Sequence, residues 1–192
     1  MKDIILIGGG GHCKSVIDVI EQSSEFKVVG IVDKKNHEAC DILGYKVVGN
    51  DSDLRLLSKK YKYALITVGQ IKSPELRVKL FNLALDAGFK LPKIVSPNAY
   101  VSKHSYIGNG VVVMNGAIIN AGSSIGDNCI INSKALIEHD CFIDNHCHIS
   151  TNVSINGGVK IGARSFIGSG TIIRESLNIE EDSFIKAGTL LK

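Results

Sequence analysis

Three of the chain's six histidines fall within ten residues, in the run Glu138-His139-Asp140-Cys141-Phe142-Ile143-Asp144-Asn145-His146-Cys147-His148. An imidazole beside a carboxylate is a general base suited to neutral pH. Its ring titrates near 6.5, and the carboxylate orients the ring and stabilises its charged form. His139 followed by Asp140 has that pattern. A second candidate lies near the N-terminus, where Gly8-Gly9-Gly10-Gly11-His12 directly follows the apolar run Ile4-Ile5-Leu6-Ile7. Glycines let a phosphate approach the backbone, and a following helix offers free N–H groups and a positive dipole end. The dinucleotide pattern G-x-G-x-x-G would need a third glycine at position 13, which is Cys13. The run therefore reads as a seat for a sugar nucleotide rather than for NAD. Asp33 stands about where a ribose-binding carboxylate is expected.

The element that must carry the histidines is a repeat. From Val101 to Ile185 every sixth residue is Val or Ile, 15 positions without a break, and Val95 and Leu191 extend the register at either end. Four residues after each of these stands a mostly small side chain, as at Ser105, Ala117, Ser123, Cys129, Ala135, Cys141 and Cys147. Neither an α-helix nor a sheet strand has a period of six. A parallel β-helix with three flat faces per turn does. One coil then takes three hexads, with coils stacked at roughly 4.8 Å. The Val/Ile column fills the axis, and the small column lies where the chain turns inward. No proline follows Pro97, as continuous ladder pairing requires.

The stacking period surrounds His139 with small residues. One coil earlier stands Ala121-Gly122, and one coil later Gly157-Gly158. The spacing predicts a notch around His139 on the outside of the prism. His148 instead shares its column with Ile130, Phe166 and Phe184, a polar ring among apolar side chains, where it would meet a ligand carbonyl or line a channel. His146 stacks between Asn128 and Arg164 and reads as a surface residue. Cys129, Cys141 and Cys147 fall in the inward column and read as small buried hydrophobes.

Residues 1–94 alternate strand and helix patterns, which predicts a small Rossmann-like α/β domain with a parallel sheet; residues 95–192 form the β-helix domain. Strands are expected at 2–7, 27–32 and 63–68, and helices from Ser15 and over 74–87. The first half carries 15 Lys+Arg against 11 Asp+Glu, a balance of +4, and the second half 7 against 8. A mildly basic first half fits an anionic small ligand. The net charge of +3 is too small for a nucleic-acid partner. No apolar run approaches the ~20 residues of a membrane span. The N-terminus reads as a first strand rather than a signal peptide, so the protein is expected in the cytoplasm. Five cysteines, an odd number without a CxxC pair, argue against a disulfide framework or a structural zinc site, and no metal is expected.

With the hexads, the glycine run and the order Ile-Glu-His-Asp at 137–140 together, the chain resembles the bacterial left-handed β-helix (hexapeptide-repeat) sugar acyltransferases. In pattern it is nearest the acetyl-CoA-dependent N-acetyltransferases of nucleotide-linked 4-amino sugars, with the sialic acid O-acetyltransferases as near relatives. The resemblance implies His139 as general base with Asp140 as its partner. It implies Gly8, Gly10, Gly11, His12, Asp33 and Lys34 holding the nucleotide-linked amino sugar, and Asn132 bordering the acceptor pocket. It implies His148, with Gly157 beside the notch, on the acetyl-CoA side, and a homotrimer with its sites between subunits, working in surface glycan biosynthesis. Members usually continue into a tail that closes over the coenzyme, whereas this sequence runs in repeat register to Lys192. The last hexad is therefore expected to fray or to borrow a cap.

Three other readings stand beside this one. The acyl acceptor can be a hydroxyl, as in sialic acid O-acetylation. His139, His146 and His148 invite a zinc site across an interface, as in carbonic anhydrase-like β-helix trimers, which have no need of the glycine-run domain. The first half can serve a nucleotide-sugar-binding scaffold without turnover.

Overall fold

The computed structural model describes residues 1–34 and 41–192. They form two compact units, Met1–Gly69 with Glu75–Pro92, and Gln70–Pro74 with Lys93–Lys192.

The first unit is an α/β sheet. Strands β1 (Lys2–Ile7), β2 (Phe26–Val32), β3 (Asp41–Ile42), β4 (Tyr45–Gly49) and β5 (Tyr63–Ile66) lie in the order β3-β4-β2-β1-β5. All neighbours are parallel except the short β3–β4 hairpin. Helices α1 (Gly11–Gln22), α2 (Leu54–Lys60) and α3 (Glu75–Asp86) complete it. Ile4 to Ile7 are buried, as a central parallel strand requires. Helix α1 begins at Gly11 rather than at the expected Ser15, because the glycine run itself enters the first turn. This places His12 and Cys13 in the helix. The hairpin and α2 carried no clear period and are additions to the sequence reading. Arg77 on α3 is buried, and its guanidinium donates to the carbonyls of Ile66 and Val68 at 2.8 and 2.7 Å, satisfying acceptors at the end of β5.

The second unit is the parallel β-helix. Seventeen two-residue strands, from Ile94–Val95 to Leu190–Leu191, build three parallel sheets, with partners 18 residues apart. The first face carries Ile94, Val112, Ile130, His148, Phe166 and Phe184 outward, the second starts at Tyr100 and the third at Tyr106. The Val/Ile column and the small column together form one axial core, fully buried from Val111 through Ile173. Burying each such aliphatic side chain is worth about 1.5–3 kcal/mol, so the column is the main source of stability.

Two features of the corners explain the rest of the hexad. From Gly110 to Gly188 every sixth residue has positive φ. Six of these fourteen are glycine, and the others are Asn128, Lys134, Asp140, His146, Asn152, Arg164, Ser176 and Asp182, with φ between 57° and 61°. Asn and Asp tolerate this conformation because their short polar side chains bond locally. The small inward column is also more than filler. Ser123, Cys129, Cys141, Cys147, Ser165 and Thr171 each donate to a corner carbonyl 15 residues ahead. Val111, Ala117, Ala135, Val153 and Val159 only fill space in this column, whereas its cysteines act as donors as well as small apolar fillers. Among the described residues, no helix is long and apolar enough to cross a membrane.

Candidate active site

His139 stands on the corner between the second and third faces, after Leu136–Ile137 and before Phe142–Ile143. Its side chain is 67% exposed and that of Asp140 72%. Nδ1 of His139 lies 2.8 Å from Oδ2 of Asp140. A carboxylate only accepts, so Nδ1 carries a proton, and in the neutral ring Nε2 is the nitrogen left with its lone pair for a substrate. The corner φ of 59° at Asp140 turns its carboxylate back toward the ring.

The predicted notch is real and has two halves. A Cβ on Gly157 would lie 2.7 Å from both Cε1 and Nε2 of His139, so the ring rests over that glycine. A Cβ on Gly122 would lie 2.2 Å from Oδ1 of Asp140, so the glycine one coil earlier makes room for the carboxylate. Glu138 is held beside the pair by Nδ2 of Asn120, which donates to Oε2 at 2.9 Å. Cys141 is no nucleophile here. Its thiol points inward and donates to Asn156 O at 3.2 Å, and burial pushes its pKa up.

Asn132 and His148 lie elsewhere on the prism. Asn132 opens the corner between the first and second faces, and His148 is on the first face, with Nε2 3.3 Å from Asn132 Nδ2. Within one chain they form a polar cluster separated from His139–Asp140 by the width of the second face. His146 sits on the third corner, 3.0 Å from Asn128 Nδ2, so the three histidines of the run do not converge. Among the described residues no group of three His, Cys, Asp or Glu is arranged to hold a metal ion.

In the first unit the glycine run leaves β1 at its carboxyl end, beside the strand-order switch where α/β sheets bind ligands. Its glycines differ in role. Gly8 has φ +109 and a Cβ there would strike Val68, while a Cβ on Gly9 would strike Ile42 and Asp33. Gly10 and Gly11 have open space where a Cβ would go. Gly8 and Gly9 shape the turn, and Gly10 and Gly11 leave it accessible. Asp33 is part of the turn as well, since its Oδ2 accepts from Gly9 N–H at 2.7 Å. His12 is half-buried in the first turn of α1, Asp33 is half-buried and Lys34 beside it is exposed.

An α/β unit with such a turn, joined to a hexad β-helix bearing an exposed His–Asp pair, is the plan of a hexapeptide-repeat acyltransferase. Residues 3–82 match the model of the PglD N-terminal domain, and residues 104–139 that of the bacterial transferase hexapeptide (six repeats). A histidine variant of perosamine N-acetyltransferase from Caulobacter crescentus, in complex with CoA and GDP-perosamine, is 36% identical with a TM-score of 0.94, over 100% of this chain and 89% of that one. The acetyltransferase domain of PglB from Neisseria gonorrhoeae is 30% identical with a TM-score of 0.93, over 100% of this chain and 92% of that one. Among curated proteins, none matches the chain significantly by sequence. The chain belongs to the bacterial left-handed β-helix (hexapeptide-repeat) sugar acyltransferases.

Proposed function

We propose that the protein is an acetyl-CoA-dependent N-acetyltransferase acting on a nucleotide-linked 4-amino-4,6-dideoxy sugar in bacterial surface glycan biosynthesis. The observation that carries this is the His139–Asp140 pair, exposed on a corner with its ring laid over Gly157 and its Nδ1 engaged by the carboxylate, which leaves Nε2 to face a substrate. When bound, the acetyl thioester supplies an acyl carbon open to attack. His139 Nε2 takes the proton that the sugar amine loses as its nitrogen bonds that carbon. The C–S bond breaks, His139 returns the proton to the departing sulfur, and Asp140 stabilises the imidazolium between the two transfers. Gly10, Gly11 and the first turn of α1, with His12, Asp33 and Lys34 alongside, form the proposed seat for the sugar nucleotide. The relatives in complex with CoA and GDP-perosamine support the pairing of substrates.

The working unit we propose is a homotrimer whose sites lie between copies. Two features support it. The second and third faces expose apolar side chains on either side of His139, among them Tyr100, Ile118, Ile172, Tyr106 and Phe142, with Ser154, Ser124 and Lys160 between them. His139–Asp140 and Asn132–His148 also occupy opposite edges of the second face, so a neighbouring copy would bring one cluster to the other. Cys13, Cys129, Cys141 and Cys147 are buried thiols rather than disulfides, which fits a reducing cytoplasm.

The deciding experiment is thiol release from acetyl-CoA with a panel of UDP-, dTDP- and GDP-linked 4-amino sugars, with sialic acid as the hydroxyl control. Turnover with an amino sugar and none with sialic acid is expected. Binding without turnover would leave only a scaffold.

A further inference from the structure

We propose that Gln70 is a positioning residue for the acyl-transfer site. Its backbone carbonyl holds His148 in one tautomer, and His148 in turn holds the Asn132 carboxamide so that one amide hydrogen is offered to a ligand oxygen. The functional part of this rests on the acetyltransferase reading above; the proton arrangement stands on geometry alone.

The chain of donors has one solution. The backbone N–H of Ser133 can only donate, and it meets Asn132 Oδ1 at 2.8 Å. That fixes which end of the carboxamide is oxygen. The nitrogen end, Nδ2, then faces His148 Nε2 at 3.3 Å. An amide nitrogen only donates, so Nε2 must accept and carries no proton. A neutral imidazole then bears its proton on Nδ1, and Nδ1 faces the backbone carbonyl of Gln70, which can only accept. The ring is buried, 6% exposed, and closed on one side by an edge-to-face contact with Phe166 at 5.2 Å. Both ring nitrogens are engaged within the prism. The donor left for a ligand carbonyl is therefore the second hydrogen of Asn132 Nδ2, and His148 acts through it.

Gln70 is built to hold this arrangement. It belongs to the Gln70–Pro74 segment that groups with the prism rather than with the flanking α/β chain. Its carboxamide is buried, and Nε2 donates to His146 O at 2.8 Å and to Arg164 O at 3.5 Å. Those carbonyls are one coil apart, so the side chain straddles two coils and fixes its own carbonyl over the His148 ring. Donors held in place before a substrate arrives need no rearrangement when charge develops on its carbonyl oxygen.

The test reads the ring nitrogens of His148 directly by ¹⁵N NMR at about pH 8, above the histidine range, with signals assigned by their loss in His148→Phe. In the native protein without substrate, Nδ1 is expected to be pyrrole-like and Nε2 pyridine-like. In Gln70→Ala the two forms should mix. In that variant kcat should fall about 10-fold with KM for each substrate within about 2-fold, since small misplacement costs turnover more than binding. Adding Gln70→Ala to His148→Phe should cost nothing further, because both act on one element. A native His148 protonated at Nε2, or fully additive losses in the double variant, overturns the proposal. Should Gln70→Ala fail to fold, the native spectrum still decides the tautomer. Normal tautomers with no turnover on any sugar would reject the proposed function and leave the proton arrangement intact.

Discussion

At the scale of single residues, the site depends on two glycines as much as on the His–Asp pair. Replacing His139 with Ala removes the base and should lower turnover by about 10²–10⁴ with little change in melting temperature. Gly157→Ala places a methyl group where the ring now lies, 2.7 Å from Nε2. We expect this variant to lose turnover by at least about 10-fold, since the base must lie within hydrogen-bond reach of its proton. Kinetics alongside calorimetry checks both; a Gly157→Ala enzyme of normal activity would show that ring placement is immaterial. The pair and its notch were legible in the sequence because the 18-residue coil is simple arithmetic on the hexads. The Asn132–His148–Gln70 arrangement was not. His148 registered only as a polar residue in an apolar column. Gln70 lies 78 positions away in a segment without any period, so no local signal ties the two.

At the scale of elements, the glycine turn separates shape from access. Gly10→Val introduces a side chain into open space at a φ of −76°, which any residue adopts. It should leave the fold intact, weaken the sugar nucleotide and barely change acetyl-CoA affinity, as titration calorimetry with each ligand would reveal. Equal loss for both ligands would reject the assignment of the turn to the nucleotide. The same helix start holds a titrating group. Burial raises the Cys13 thiol from 9.0 to about 11. The folded state therefore binds this proton more tightly than the unfolded one. Its contribution to stability is full below about pH 9 and fades as pH rises toward 11. Urea midpoints should fall across that window in the native protein and less so in Cys13→Ala. The strand and helix types of this unit were readable from hydrophobic runs, but their ends were not. Glycines that open a helix look locally like a loop, so the sequence pattern alone starts α1 at Ser15 instead of Gly11. The hexad core was readable in full, since its Val/Ile column repeats without error. The positive-φ column gives no signal in the sequence, because eight of its positions carry non-glycine residues of mixed chemistry.

At the scale of the whole molecule, the proposed trimer has a direct test. Copies carrying His139→Ala and copies carrying Asn132→Ala should each turn over poorly alone. Unfolded and refolded together, they should regain part of the activity, because some interfaces would pair an intact His139 with an intact Asn132. Absence of any recovery, with sedimentation showing mixed trimers, would place both clusters' work within single chains.

The stacking of coils 18 residues apart makes length a phase variable. Deleting six residues, 114–119, joins Val113 to Asn120 with both core columns still in step, so the prism can close. Everything downstream, however, is rotated by one face relative to what precedes it. Gly122, Asp140, His139 and Gly157 move as one body and keep their stacking, but the group is carried to a different edge and His148 is carried off the face on which Gln70 meets it. Such a deletion should retain the circular dichroism of the parent and cost turnover at least as much as Gln70→Ala does. In this architecture, chain length is neutral for folding in steps of one hexad and neutral for catalysis only in steps of three.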